Sequence, residues 1–355
     1  MNRIKRVALS SAILFSAILL PSCRTVPTSP ITMDDAVGMA DINKGMINRT
    51  AQFRQTVVKN SVRTGVVIDT KTQNFYAHTQ QRLAARCKLL GFTDAFIAVN
   101  AKSFEEHPDH LRQLLVQLHR AGIKCHASMD LNYLYHYRAG LDLNPLSGTP
   151  AEQAIGTVTR FNGVPEESFD GIEAQIMPER ISPDDVSGPV APLFNWGENR
   201  FGRGGENDVV IRQTLTLMES VRQHSDNLIV TENVEHDLSD RTCEGQLSKA
   251  GINDFLEFCD RLIINPGSSD PDEIIEHASL EVENARKRHS LSIRIVTGDD
   301  FYSENYRKLS FGHKPWDTVL AELQRVCRTC RRNPAFAGLV FDNFSGFEIL
   351  WERNR

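Results

Sequence analysis

The 355-residue chain lacks the features that mark several large protein classes, and each absence narrows its chemistry. Positive charge is not in excess: 40 Lys+Arg stand against 45 Asp+Glu, a net of −5, so the basic footprint of a nucleic-acid binder is missing. No glycine-rich loop follows the first strand-like run, "GVVIDTKTQNF", which argues against a dinucleotide or phosphate cradle there. Cys327 and Cys330 form "CRTC", but no second cysteine or histidine pair stands at zinc spacing. The same pair closes a helical pattern instead of opening a helix after a strand, which removes a redox motif. There is no serine elbow, low-complexity segment or second domain, and no metal or cofactor is expected.

What is present begins with Arg3, Lys5 and Arg6, followed by apolar residues from Val7 to Leu20. The run falls short of the ~20 residues a spanning helix needs, so residues 1–22 read as an export signal. It ends in "LPSC", which resembles the lipobox of bacterial lipoproteins and implies lipidation at Cys23. The expected placement is a lipid-anchored protein of the cell envelope, at the outer membrane where the cell has two, with the membrane touched through the lipid alone. Residues 23–32 form a polar, proline-marked linker, and 33–60 a helical extension that could cap the barrel bottom. Without residues 1–22 the chain keeps 37 Lys+Arg and 45 Asp+Glu, a net of −8. Besides Cys23 there are six cysteines, an even count that permits disulfides in an exported chain.

Residues 61–355 carry eight strand-like apolar runs: 65–69, 95–100, 124–130, 169–177, 227–233, 261–265, 292–300 and 337–343. Amphipathic stretches such as "EEHPDHLRQLLVQLHRAGI" lie between them. Strand alternating with helix implies a parallel sheet, and eight repeats imply closure, so the fold class is α/β, a single (β/α)8 TIM barrel with long loops at the C-terminal face of the strands.

Function in such barrels sits where strands end. Those ends collect Asp69, Asn100, Asp130, Glu173, Gln175, Glu232, Asn233, Asn265, Asp299, Asp300 and Asp342. Carboxylates and amides suit a polyhydroxylated ligand, because hydroxyls donate to the first and exchange both roles with the second. Three loops add aromatic faces for sugar rings: Tyr133, Tyr135 and Tyr137 after the third run, Phe194, Trp196 and Phe201 after the fourth, Tyr302, Tyr306 and Trp316 after the seventh. The substrate-binding candidates are Asp69, Asn100, Asp130, Tyr133, Tyr135, Gln175, Trp196, Asn233, Asp299, Tyr302 and Asp342.

The segments "LGFTDAFIAVN", "LLVQLHRAGIKCHASMD", "FDGIEAQIMPER" and "FAGLVFDNFSGFEIL" together resemble bacterial glycoside-hydrolase-like (β/α)8 barrel proteins. The resemblance implies a glycan or polysaccharide ligand. It also places Gln175 and Met177 where that family carries an aspartate and a glutamate on its fourth strand. An amide and a thioether transfer no proton near neutral pH, so the usual carboxylate pair is missing there. Any catalysis must use other strand-end acids, and Glu173, Asp300 and Glu232 are the candidates. Three functions stay open: a glycan-binding barrel lipoprotein that also hydrolyses its ligand, a non-catalytic envelope protein binding a protein or peptidoglycan partner, and a metal-dependent hydrolase. The last would need strand-end histidines, whereas His126 lies near the start of its strand.

Overall fold

The computed structural model describes residues 29–70, 77–99, 101–130, 150–175, 215, 218–225, 227–236, 251–298 and 308–353. The strands are β1 Arg63–Asp69, β2 Asp94–Ala98, β3 Lys124–Asp130, β4 Gly171–Gln175, β5 Ile229–Glu235, β6 Arg261–Asn265, β7 Leu291–Val296 and β8 Phe336–Asp342. All eight pair in parallel in chain order, and β8 pairs back on β1 to close the barrel. The chain is a (β/α)8 TIM barrel.

The described helices are α1 Met33–Met39, α2 Lys44–Thr56, α3 Ala77–Leu90, α4 Ala101–Glu106, α5 Pro108–Arg120, α6 Pro150–Phe161, α7 Ile252–Phe258, α8 Pro271–Asn284, α9 Trp316–Cys330 and α10 Phe344–Glu352. Their starts follow the local sequence. Asn43 accepts from the Met46 amide to cap α2, Asp270 from those of Asp272 and Glu273 ahead of Pro271 in α8, and Asn343 from that of Gly346 in α10. In α5, Leu111, Leu114, Leu115 and Leu118 fall on one face and are buried against the sheet. Among the described residues no helix is long and apolar enough to cross a membrane.

The strands divide the apolar core in two. Outward-pointing residues join the helices in one continuous layer, while Val67, Phe96, Ile263 and Val340 form a separate small cluster inside the lumen. Size matching fills that lumen. A Cβ at Gly65 would lie 2.8 Å from the Phe96 ring, and one at Gly171 would lie 2.5 Å from His126 Nδ1 and from the Ile229 carbonyl. Phe96 and His126 stack at 4.9 Å between these two glycines. Below them His126 Nε2 bonds Asp94 at 2.9 Å, and Arg261 reaches the same carboxylate oxygen at 2.6 Å. Burial alone would raise the Asp94 pKa, but His126, Arg261 and Thr93 together hold it well below the usual carboxylate range.

The 33–60 segment does not cap the barrel bottom. Phe53 of α2 packs against Phe92, Phe341, Phe347 and Trp316, so the helix lies on the outer wall among α3, α9 and α10. Trp316, expected as a sugar platform, is buried in this cluster at the start of α9. The five described cysteines, Cys87, Cys125, Cys259, Cys327 and Cys330, are free thiols buried in the outer layer, so disulfides among these five are not formed.

Candidate functional site

The C-terminal half of the lumen is polar because inward positions of five strands carry bonding side chains. Glu173 on β4 is fully buried, and its Oε1 accepts from the Asn233 amide on β5 at 2.5 Å. The Asn233 carbonyl oxygen accepts from Arg294 on β7 at 3.4 Å. Arg294 in turn grips Asp342 on β8, with Nε at 3.0 Å and Nη2 at 2.9 Å from one carboxylate oxygen. Beside this chain Gln175 donates its amide to Ser128 Oγ on β3 at 2.8 Å. Thus Glu173, Asn233, Arg294 and Asp342 form one relay across the barrel.

The relay is unequal at its two ends. Asp342 is a carboxylate paired with the Arg294 guanidinium and committed to it. Glu173 has one oxygen bonded, whereas Oε2 is buried without a hydrogen-bond partner among the described residues. A buried carboxylate oxygen left unbonded costs about 1–3 kcal/mol or more, which a ligand hydroxyl or a water placed there would offset.

The structure brings together Glu173, Gln175, Asn233 and Asp342 from the sequence-derived set, and places the half-buried Asp69 at the end of β1 on the same inward parity. It separates Glu232 from them. β5 runs on to Glu235 instead of stopping near Asn233, and alternation sends Glu232 outward with Val230 and Val234. There its charge is felt by the buried thiol of Cys259. Asp130 closes β3 with only its backbone described. Cys23, Asn100, Tyr133, Tyr135, Met177, Trp196, Asp299, Asp300 and Tyr302 lie outside the described residues. Sequence reading missed Arg294 and Ser128. A lone arginine in "SIRIV", between two isoleucines, was the available signal: a charge that a strand carries inward needs a lumen partner.

One cluster has metal-like composition and a different explanation. His119, Cys125 and Asp170 bring ligand atoms within 4.8 Å of one another. Each is already engaged: His119 Nε2 meets Asp170 at 2.9 Å, its Nδ1 meets the Glu166 carbonyl at 2.8 Å, and the Cys125 amide donates to Asp170 at 2.7 Å. Burial pushes the Cys125 thiol up, away from the thiolate a metal requires. The trio ties the end of α5 to the start of β4.

No protein-family profile and no curated protein sequence matches the chain. Among solved structures it is similar to a GH18 chitinase from Pseudoalteromonas aurantia, at 12% identity and a TM-score of 0.49, over 81% of this chain and 97% of that one. It is also similar to a β-mannanase from the blue mussel Mytilus edulis, at 10% identity and 0.45, over 82% and 92%. A deoxyribose phosphate aldolase from Aeropyrum pernix matches at 11% and 0.39, over 85% and 95%. Likeness at this level is shared by different chemistries, and the site must speak for itself.

Proposed function

We propose that the chain is a glycan-binding barrel of the cell envelope, tethered through a lipid on Cys23, whose ligand enters the mouth of the lumen above Glu173. The observation that carries this reading is Glu173 Oε2, buried without a hydrogen-bond partner among the described residues, next to a relay of Asn233, Arg294 and Asp342 that crosses the lumen. It is an acceptor awaiting a donor, and sugar hydroxyls are donors.

Binding is the activity proposed first, because Gln175 on the matched acid position donates its amide to Ser128 and has no proton to transfer. Cleavage would need a proton donor and a carboxylate across the sugar. Asp342 is committed to Arg294, which leaves Glu173 paired with Asp300 as the arrangement to test.

The test is a glycan array followed by calorimetry and turnover of chromogenic glycosides. Intact protein should bind at least one glycan, and Trp196→Ala and Tyr135→Ala should each weaken it about tenfold or more, the scale of losing a ring-stacking contact. Glu173→Gln and Asp300→Asn should abolish any turnover while leaving the fold intact. A broad array with no bound glycan overturns the reading in favour of a protein or peptidoglycan partner. Replacement of Cys23 by serine should release the protein from membranes, and retention would overturn the tether.

A further inference from the structure

At the end of the barrel opposite the lumen site, loops after α2, α8 and α9 surround a cavity of about 410 Å3. Its wall carries Lys59, Arg288, His289, Arg331 and Arg332, and no carboxylate. Lys59, Arg288 and Arg332 form no ion pair among the described residues, and Arg331 donates to the neutral Asn60 side chain. Placement after the C-terminus of α9 accounts for Arg331 and Arg332 through the helix dipole. It does not account for Arg288 from a separate loop, nor for the concavity.

The wall is built rather than floppy. The His289 amide donates to the Pro334 carbonyl at 2.9 Å, and the Ala335 amide to Asn333 at 2.8 Å. His289 itself holds a left-handed φ of 52°, a conformation few non-glycine residues adopt. Cations from three segments held together without a carboxylate raise one another's energy, and a multivalent anion relieves it.

We propose that this cavity binds the phosphate of an anionic lipid headgroup. The cations supply the phosphate chemistry, and the position supplies the lipid. The described chain enters on this same face, where the Ile31 amide donates to the Arg120 carbonyl at 2.8 Å at the end of α5. Residues 23–31 reach at most about 30 Å when extended. The choice of a lipid source therefore rests on the proposed Cys23 lipid, which would hold this face against the bilayer. Val62, 55% exposed beside the cations, offers the apolar contact of a surface that lies on acyl chains.

The experiment uses the purified protein in neutral detergent micelles doped with either phosphatidylglycerol or phosphatidylcholine, with inorganic pyrophosphate as a soluble probe. Phosphatidylglycerol should be preferred at least tenfold, the preference should fall as salt rises, and an Arg288→Gln, Arg332→Gln double variant with an unchanged melting temperature should lose it. Equal binding of the two lipids overturns the proposal, as does a preference that survives in the double variant. Pyrophosphate binding without lipid preference overturns the headgroup and assigns the cavity to a soluble phosphate. Mass measurement of the Cys23 peptide reads the tether independently, so its failure and that of the cavity are separate results.

Discussion

At position 173 a fully buried carboxylate keeps one oxygen bonded to Asn233 and the other without a hydrogen-bond partner among the described residues. Such a group is a stability cost retained for use, and its removal has a signature that a structural residue would not give. Glu173→Gln should change the melting temperature by no more than about 2–4 °C, the scale of about 1 kcal/mol in a domain of this size, since the amide oxygen can still accept from Asn233. Binding of the glycan should fall in the same variant. A drop of several degrees, read by calorimetry, would show instead that Glu173 holds the barrel together. Glu173 and its neighbours were legible because strand ends in barrels carry function. Glu232 was misplaced because a polar pair, "EN", looked like the end of a strand that in fact continues, and one residue of parity decides which side of the wall a carboxylate faces.

Among the elements, the eight strands were readable because buried parallel strands are near-continuous apolar runs, and their observed bounds shift by a few residues at most sites. The seat of α2 was not readable. Periodicity reports that a helix has an apolar face, whereas the rings of Phe92, Trp316, Phe341 and Phe347 that receive Phe53 come from elsewhere in the chain. The join between α5 and β4 carries a pH dependence. For Asp170 burial works against the charged form, but the His119 bond and the Cys125 amide outweigh it and hold the pKa below 3.8. For His119 burial also opposes charge, and the Asp170 and Glu166 contacts outweigh it and lift the pKa above 6.5. A depressed acid stabilises above its unfolded pKa and loses that as pH falls through the folded one. A raised histidine stabilises below its unfolded pKa and loses that as pH rises through the folded one. The pair therefore contributes fully between 3.8 and 6.5. Melting temperature measured against pH should decline on the alkaline side of this window, and His119→Phe should flatten that decline. An unchanged alkaline slope in the variant would assign it to another group.

For the whole molecule, the closed barrel separates two chemistries by its full depth, a hydrogen-bonding lumen at one end and a cationic cavity at the other. The eightfold alternation of strand and helix made the barrel legible from sequence, whereas the cationic cavity was not, because its three loops are brought together only by closure. The buried cysteines give this closure a clock. Cys87, Cys125, Cys259, Cys327 and Cys330 are free and sealed in the outer layer, and burial lifts the last two thiols to about 12. Alkylating reagents need both access and a thiolate, so each of the five can react only while its part of the wall stands open. In native buffer a mass spectrometer should find these five unmodified by iodoacetamide over hours, then modified together as denaturant is added. Cys327 and Cys330 reacting ahead of Cys125 would instead reveal α9 peeling from a barrel that is still closed, and the order of labelling would map which wall of the cylinder yields first.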